Sequence, residues 1–495
     1  MTIRGFLSFF FAKFIVFKNS SWINHPIKNQ QKIMLQLINK SKKTVFGKAH
    51  SFSKIQNYTD FKKHVPIRDY EGLRSYIEQI INGKEDVLWP GRPLYFCKTS
   101  GTTSGTKHIP ITPKSMPNHI TAARDAILAY IAETKNTSIV NGKMIFLQGS
   151  PELLKTNGVL TGRLSGIVAH HIPSYLTKNR LPSFETNCIS DWENKLDMIV
   201  KETLTENMSL ISGIPPWVQM YFEKLKNKTG KLIKDLFPNF DLFIYGGVNY
   251  EPYRSSFEKL IGRPVDGIEL YPASEGFIAY QNSQKEPGML LCVNHGIFYE
   301  FIPSDEFFNK NPTRISLADV KIGVNYAIIL NTNAGLWGYS LGDTIKFVST
   351  SPYKIIVSGR IKHFTSAFGE HVIAEEVEKS LKKALKKIPL QINEFHVAPQ
   401  VNPKKGLPYH EWFIEFEKEP KNLCEFKNLI DTYLQKHNSY YKDLISGNIL
   451  KPLEITIIGK NGFINYMKSI NKLGGQNKVP RLANDRKIAD KLKKF

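Results

Sequence analysis

Cysteine is scarce in this sequence: Cys97, Cys188, Cys292 and Cys424 are the only four in 495 residues, widely spaced and without a CxxC pair. A chain this long can bury a large core without covalent staples, so neither a disulfide scaffold nor a cysteine metal site is expected, and a reducing cytoplasm is the default. Long apolar runs are missing too. Spanning a bilayer takes about 20 apolar residues, and the stretch Phe6 to Phe17 is shorter and broken by Lys13. Asn19-Ser20-Ser21-Trp22 then offers no small-x-small cleavage site, which argues against a secretory signal. A helix packed on the body of the protein is expected there, with membrane-surface contact as the sharper alternative. No repeat of fixed period and no low-complexity tract is present, which removes solenoids and propellers. Acidic residues are also short, 44 against 67 basic, for a formal charge of +23. That balance raises nucleic acid or an anionic membrane as partners. Yet the charge is mostly Lys spread along the chain, with short clusters such as Lys382, Lys383, Lys386 and Lys387, whereas a nucleic-acid stripe concentrates Arg and aromatics on one element. A solvated surface that draws in small anions is expected, with no nucleic-acid partner and no stable membrane insertion.

What is present is the composition of a globular chain, 41% hydrophobic and 12% aromatic, enough apolar surface to offset chain entropy. Segments of helical period alternate with short strand-like runs, the pattern of layered α/β structure. Pro215-Pro216 followed by Trp217, Met220, Tyr221 and Leu225 predicts a helix that Gly230 ends. Met144 to Leu147, Leu242 to Tyr245 and Tyr326 to Leu330 predict strands. From Ala374, the positions Val377, Leu381, Leu385 and Ile388 trace one helical face, with Glu early and Lys late to match the helix dipole. Strand-like runs at Glu394 to Ala398, Trp412 to Phe416 and Leu453 to Ile458, with a helical stretch Phe426 to Gln435, follow it. The division expected is a large domain over 1–358 and a small α/β domain over 359–495, hinged near residue 360.

Four stretches carry candidate chemistry. Thr99-Ser100-Gly101-Thr102-Thr103-Ser104-Gly105-Thr106-Lys107 sits between strand-like Leu94-Tyr95-Phe96 and extended Ile109-Pro110-Ile111. Its glycines let backbone N–H groups approach phosphate oxygens, and its hydroxyls and lysine add donors and a cation. It is not a Walker A loop, because counting from Gly101 the second glycine should fall at Thr106. Tyr271-Pro272-Ala273-Ser274-Glu275-Gly276 offers a ring for a purine, a hydroxyl for phosphate and a carboxylate for Mg²⁺, which favours oxygen ligands. Trp337-Gly338-Tyr339-Ser340-Leu341-Gly342-Asp343 reads as a turn whose acid could hold ribose hydroxyls. Gly474-Gly475-Gln476-Asn477-Lys478-Val479-Pro480-Arg481 could present its cations to charge developing at phosphate, or be a basic tail. Taken singly, the last three are equally ordinary turns and surface segments, and His170-His171 is read as packed or solvated rather than catalytic.

In order, these stretches resemble the adenylate-forming enzyme superfamily, and more specifically the Gretchen Hagen family of acyl acid amido synthetases, first met as auxin-responsive plant proteins and also present in bacteria. Thr44-Val45-Phe46-Gly47, Val65-Pro66-Ile67 and Leu88-Trp89-Pro90-Gly91 extend the likeness over nearly the whole chain. The resemblance implies a large N-terminal domain of β-barrel and α/β character, a smaller mobile C-terminal domain, and ATP with Mg²⁺ at their junction. It implies acyl-AMP formation from a carboxylic acid, then displacement of AMP by an amine, usually of an amino acid. Ser100, Gly101, Thr102, Thr103, Ser104 and Lys107 would surround the phosphates, with Gly246, Gly247 and Val248 beside the adenine. Tyr271 would lie by the adenine, Ser274 near phosphate and Glu275 on Mg²⁺. Asp343 would take the ribose, Arg360 would stand at the hinge, and Lys478 would help adenylation. The chain departs from the family pattern at Ser340, where arginine is common, and at His371, where lysine often follows Glu370. Transfer of the acyl group to a thiol, coenzyme A or a carrier, is the alternative within enzymes. A basic polyanion- or membrane-surface-binding protein without catalysis is the alternative outside them.

Overall fold

A computed structural model of the protein describes residues 2–99, 107–172, 178–247, 250–361, 364–365, 367–370, 372–420, 422–470 and 479–495. Its spine is an 11-stranded mixed sheet. At its heart Lys143–Leu147, Met208–Gly213, Leu242–Gly246 and Asp266–Ala273 run parallel. Antiparallel strands Gly276–Tyr280, Met289–Leu291, Tyr353–Arg360, Tyr339–Thr350, Asn325–Thr332 and Ile297–Pro303 continue it on one side. The parallel strands read as near-continuous apolar runs because helices cover both their faces. On one face lie Trp192–Thr203, Pro215–Thr229 and Glu251–Ile261, packed through Leu196, Val218, Phe222 and Phe257. On the other lies Met116–Thr134, with Ile3–Asn24 outside it, joined through Ala122, Ala126, Ala12 and Ile15.

A second sheet of four strands includes the hairpin Tyr95–Thr99 and Lys107–Ile111, whose Cα partners run from Tyr95 with Ile111 to Thr99 with Lys107. The expected extended arms of the hydroxyl-rich stretch are therefore the two sides of one hairpin. Short capped helices pack beside it: Thr44 accepts from the Gly47 amide, and Asp69 accepts from the Gly72 amide to start Tyr70–Ile81. The C-terminal part is a three-stranded sheet of Ile392–Gln400, Tyr409–Phe416 and Glu454–Ile458, with helices Ala374–Lys387 and Leu423–His437. These follow the expected strands and helices closely. The Pro215–Thr229 helix also ends as expected, on Gly230 at φ +72°, in the left-handed region.

One expectation fails in kind. Only Trp337 and Gly338 of the Trp337 to Asp343 stretch lie in the connection between strands: Tyr339–Thr350 is a 12-residue strand, and Asp343 lies within it opposite Arg360. Its entry is fixed from far away in the chain. Arg68 and Tyr339 form a parallel bridge, the Arg68 amide donates to Gly338 O, and the Trp337 indole donates to Leu88 O at 3.0 Å. At Gly338, φ +57°, a Cβ would stand 2.3 Å from Pro66 O, so only glycine allows this approach.

Beneath the antiparallel half lies a buried charge pair. Arg314 Nη2 reaches Glu300 Oε1 at 2.7 Å, with their side chains 11% and 0% exposed, and Asn331 and Tyr58 also donate to the Glu300 carboxylate. Removing one partner of a buried pair strands the other charge. Glu300→Ala is therefore expected to lower unfolding free energy by about 3–5 kcal/mol in urea titrations. Glu85→Ala breaks only the exposed contact to Arg92, and should change stability by less than about 1 kcal/mol.

Candidate active site

The carboxyl ends of the parallel strands deliver several of the expected residues to one edge, where open α/β sheets bind ligands. Leu242–Gly246 ends on Gly246-Gly247, and Asp266–Ala273 leads directly into Ser274-Glu275. Gly246 pairs with Leu270 in the sheet so closely that a Cβ would sit 2.4 Å from Leu270 O. Gly247, at φ +75°, has nothing nearer than 3.9 Å to its would-be Cβ, which leaves its backbone open on that side.

The hairpin meets this edge at two points. Cys97, in the strand before the hydroxyl-rich loop, donates its thiol to Ser274 Oγ at 3.1 Å. Burial pushes that thiol up to about 12, which keeps it a neutral donor rather than a nucleophile. On the opposite arm, Lys107 lies over the Tyr70 ring at 5.6 Å and is charge-coupled to Glu275. Burial lowers the Lys107 pKa while Glu275 works to raise it. Reciprocally, burial raises the Glu275 pKa, and Lys107 together with a hydrogen bond from the Tyr339 hydroxyl, 3.1 Å to Oε1, holds it down in part. Each charge is thus supported by the other in a site that burial penalises.

Asp343 closes the cluster. Tyr271 donates its hydroxyl to Asp343 Oδ2 and Arg360 Nε donates to Oδ1, both at 2.6 Å. The two side chains of the ion pair are 13% and 22% exposed. Burial disfavours the Arg360 charge, but Asp343 and Tyr271 more than offset it and hold the pKa above its ordinary value. Burial and then the neighbouring Asp343 carboxylate push the Tyr271 phenol far up, so it is a neutral donor. Two of the roughly four acceptor positions of the carboxylate remain for a ligand's hydroxyls. Arg360 also senses Glu275, so the hairpin, the Ser274-Glu275 turn and the Asp343 strand pair form one electrostatic unit.

Of the residues expected from the sequence, Lys107, Gly246, Gly247, Tyr271, Ser274, Glu275, Asp343 and Arg360 are placed along this edge. Ser100, Gly101, Thr102, Thr103, Ser104, Val248 and Lys478 lie outside the described residues. Arg481 does not reach the cluster: it pairs with Glu378 at 3.1 Å and Glu394 at 3.7 Å on the C-terminal part itself. His170 and His171 are hydrogen-bonded, to Pro151 O and to the Tyr95 hydroxyl. Sequence reasoning missed Tyr70, Cys97 and Tyr339. Only Tyr339 carried a signal, as an aromatic beside the Gly-Asp pair.

An open cleft of about 570 Å³ lies beside the hairpin, lined by Tyr95, Leu153, Leu154, Leu160, His170 and Phe184. Side chains alternate along a strand, so Tyr95 projects on the same face as Cys97, which bonds Ser274. Arg163 and Tyr440 connect the C-terminal part to the same region. Arg163 pairs with Asp443 at 2.6 Å, and the Tyr440 hydroxyl donates to Lys98 O at 3.2 Å.

Among the described residues, the turn after Asp266–Ala273 offers a carboxylate suited to Mg²⁺. Mg²⁺ takes one or two carboxylates together with substrate phosphates and water, and the Glu275 carboxylate, 8% exposed and facing Lys107, is such a donor.

Three models of one family match the sequence: the GH3 family N-terminal domain over residues 20–198, the central domain over 290–360 and the C-terminal domain over 375–487. Jasmonoyl--L-amino acid synthetase JAR4 of Nicotiana attenuata is 24% identical over 358 residues, spanning 58% of this chain and only 60% of that protein. JAR6 of the same plant, also a jasmonoyl--L-amino acid synthetase, is 23% identical over 502 residues and 85% of each chain. Among solved structures, the GH3.15 acyl acid amido synthetase superposes with a TM-score of 0.59 at 17% identity, over 94% of this chain and 93% of the other. A 2-hydroxyisobutyryl-CoA ligase complexed with 2-HIB-AMP and CoA gives the same TM-score, 0.59, at 12% identity, over 96% and 92%. These likenesses establish the fold: mixed α/β, with a large N-terminal part and a smaller C-terminal one.

Glu275 ionises at higher pH in the folded chain than in the unfolded one. The stability of its neutral form is therefore fully present below the ordinary carboxyl range, near about pH 4, and lost as pH rises through the raised value. Glu275→Gln stays neutral throughout. Its melting temperature should match the parent near about pH 4 and exceed it by roughly a few degrees at about pH 7.

Proposed function

We propose a reaction for this chain, which belongs to the GH3 family: ATP-dependent adenylation of a carboxylic acid, followed by transfer of the acyl group to the amine of an amino acid. In the first step a carboxylate oxygen attacks the α-phosphorus of ATP, the bond to the β-phosphate oxygen breaks, and pyrophosphate leaves. In the second the amine nitrogen attacks the acyl carbon, the bond to the AMP oxygen breaks, and the amine gives up a proton. The observation that carries this reading is the convergence of Lys107 and Glu275 with the Asp343 clamp.

The first step brings two anions together, so cations and oriented donors rather than a strong base should dominate. Lys107 and the loop residues Ser100, Gly101, Thr102, Thr103 and Ser104 hold the triphosphate. Ser274 faces the α-phosphate. Asp343, oriented by Tyr271 and Arg360, accepts from the ribose hydroxyls. Gly246, Gly247 and Val248 supply backbone beside the adenine, and the Tyr271 ring borders it. Lys478 assists the adenylation step. Glu275 holds Mg²⁺, which when bound offsets phosphate charge. The cleft beside Tyr95 receives the acyl chain, and the domains 1–358 and 359–495 move about the Arg360 strand between the two steps. A reducing cytoplasm suits the four free thiols.

The fold likeness to a CoA ligase equals that to an amido synthetase, so transfer to a thiol is the second reading, and the family match favours the amide. ATP–pyrophosphate exchange over a panel of carboxylic acids is expected to reveal at least one substrate. Lys107→Ala and Glu275→Gln should each lower that exchange by roughly 10²-fold or more. Amide should form with an amino acid where coenzyme A yields no thioester. Silence with every acid would contradict the adenylation step, and thioester without amide would select the second reading.

A further inference from the structure

The N-terminal helix Ile3–Asn24 is fixed with its apolar side facing outward. Gly5, Ala12, Ile15 and Trp22 face the body of the protein and are buried. Two hydrogen bonds set the rotation of the helix: Thr2 Oγ1 donates to Asn141 Oδ1, and Asn19 Nδ2 donates to Asp125 Oδ2 at 2.8 Å. The side left outside is not polar. Ile3, Phe6, Leu7, Phe10, Phe11, Phe14 and Phe17 are all exposed, Phe10 by 56%, Phe14 by 60% and Phe17 by 78%. At 3.6 residues per turn these seven positions fall within an arc of about 140° on the helix surface. The segment thus packs on the body as a helix, as expected, and leaves a second apolar face outside. Ordinary monomers rarely expose a contiguous apolar surface of this kind, and where they do it marks an interaction site.

Charge decides what covers it. Lys13 borders one edge of the arc, while Arg4 and Lys18 lie by the other, and all three are exposed. No Asp or Glu occurs between residues 3 and 24. Two copies of this face brought together would set cation against cation with no acid on either helix to pair with. An anionic bilayer matches both features at once: rings reach the acyl boundary, and the long Lys and Arg stems carry their charges up to the headgroups. The formal charge of +23 on the whole chain adds attraction of the same sign. None of the described helices is long and apolar enough to cross a membrane, so the helix lies on the surface.

We propose that Ile3–Asn24 adsorbs the protein, reversibly and in the plane of the interface, to anionic lipid bilayers through its exposed phenylalanine arc and flanking cations. The test is co-sedimentation of the full chain with phosphatidylcholine vesicles and with mixed phosphatidylcholine–phosphatidylserine vesicles, at low and high salt. Binding to the mixed vesicles, weaker on phosphatidylcholine alone and weakened by salt, is expected. A Phe10→Gln/Phe14→Gln double variant and a Lys13→Gln/Lys18→Gln double variant, each melting with the parent, should both bind roughly tenfold more weakly or worse. Absence of binding to either vesicle would overturn the proposal, as would sedimentation that the phenylalanine variant leaves unchanged. A concentration-dependent dimer that the phenylalanine variant dissociates, without vesicle binding, would assign the face to a second copy instead.

Discussion

The carboxylate of Asp343 is held at 2.6 Å by donors from two other strands, the phenol of Tyr271 and the guanidinium of Arg360. That clamp ties the last parallel strand of the sheet to the antiparallel pair beyond it. It also fixes where the acid's unused acceptor positions point. The remaining site chemistry is arranged around it: Glu275 sits at the turn following the Tyr271 strand, and Arg360 feels both carboxylates. Were Arg360 missing, Asp343 and Glu275 would face each other with less positive charge between them, in a region where burial already penalises ionisation.

Lys107 and Glu275 repeat the same logic. Burial drives each toward its neutral form, and each is the main charge opposing that drive on the other. A pair poised in this way suits a ligand that brings its own charges, because a triphosphate and its cation would complete the partial compensation that Lys107 and Glu275 give each other. The thiol contact from Cys97 to Ser274 gives the arrangement a mechanical counterpart. It joins the Tyr95–Thr99 strand to the turn that carries Glu275, so that strand and carboxylate are set relative to each other by the fold.

Much of this was legible in residue order. The hydroxyl-rich stretch, Tyr271, Ser274, Glu275 and Asp343 stood out by composition, and the C-terminal helix and strands by clean periodicity. Legibility failed where distant segments decide. Gly338 and Gly342 suggested a turn, but pairing with Arg68 and with the Tyr353–Arg360 strand draws that stretch into a sheet. Tyr70 and Cys97 join the site through contacts made only in three dimensions, with nothing local to mark them. Arg481 looked available beside a glycine pair, yet Glu378 on the Ala374–Lys387 helix and Glu394 on the Ile392–Gln400 strand pair with it instead. In the first helix, the phenylalanines that face outward broke the rule that apolar side chains go inside.

In the proposed reaction the Asp343 clamp and the Lys107–Glu275 pair read opposite ends of one nucleotide. The most direct measurement is a crystal structure with Mg²⁺ and a non-hydrolysable acyl-sulfamoyl adenosine. Ribose hydroxyls are expected on Asp343 with Tyr271 and Arg360 still bonded to it, the sulfamate toward Lys107, and the metal on Glu275. A nucleotide lodged elsewhere, with these side chains unchanged and untouched, would contradict it.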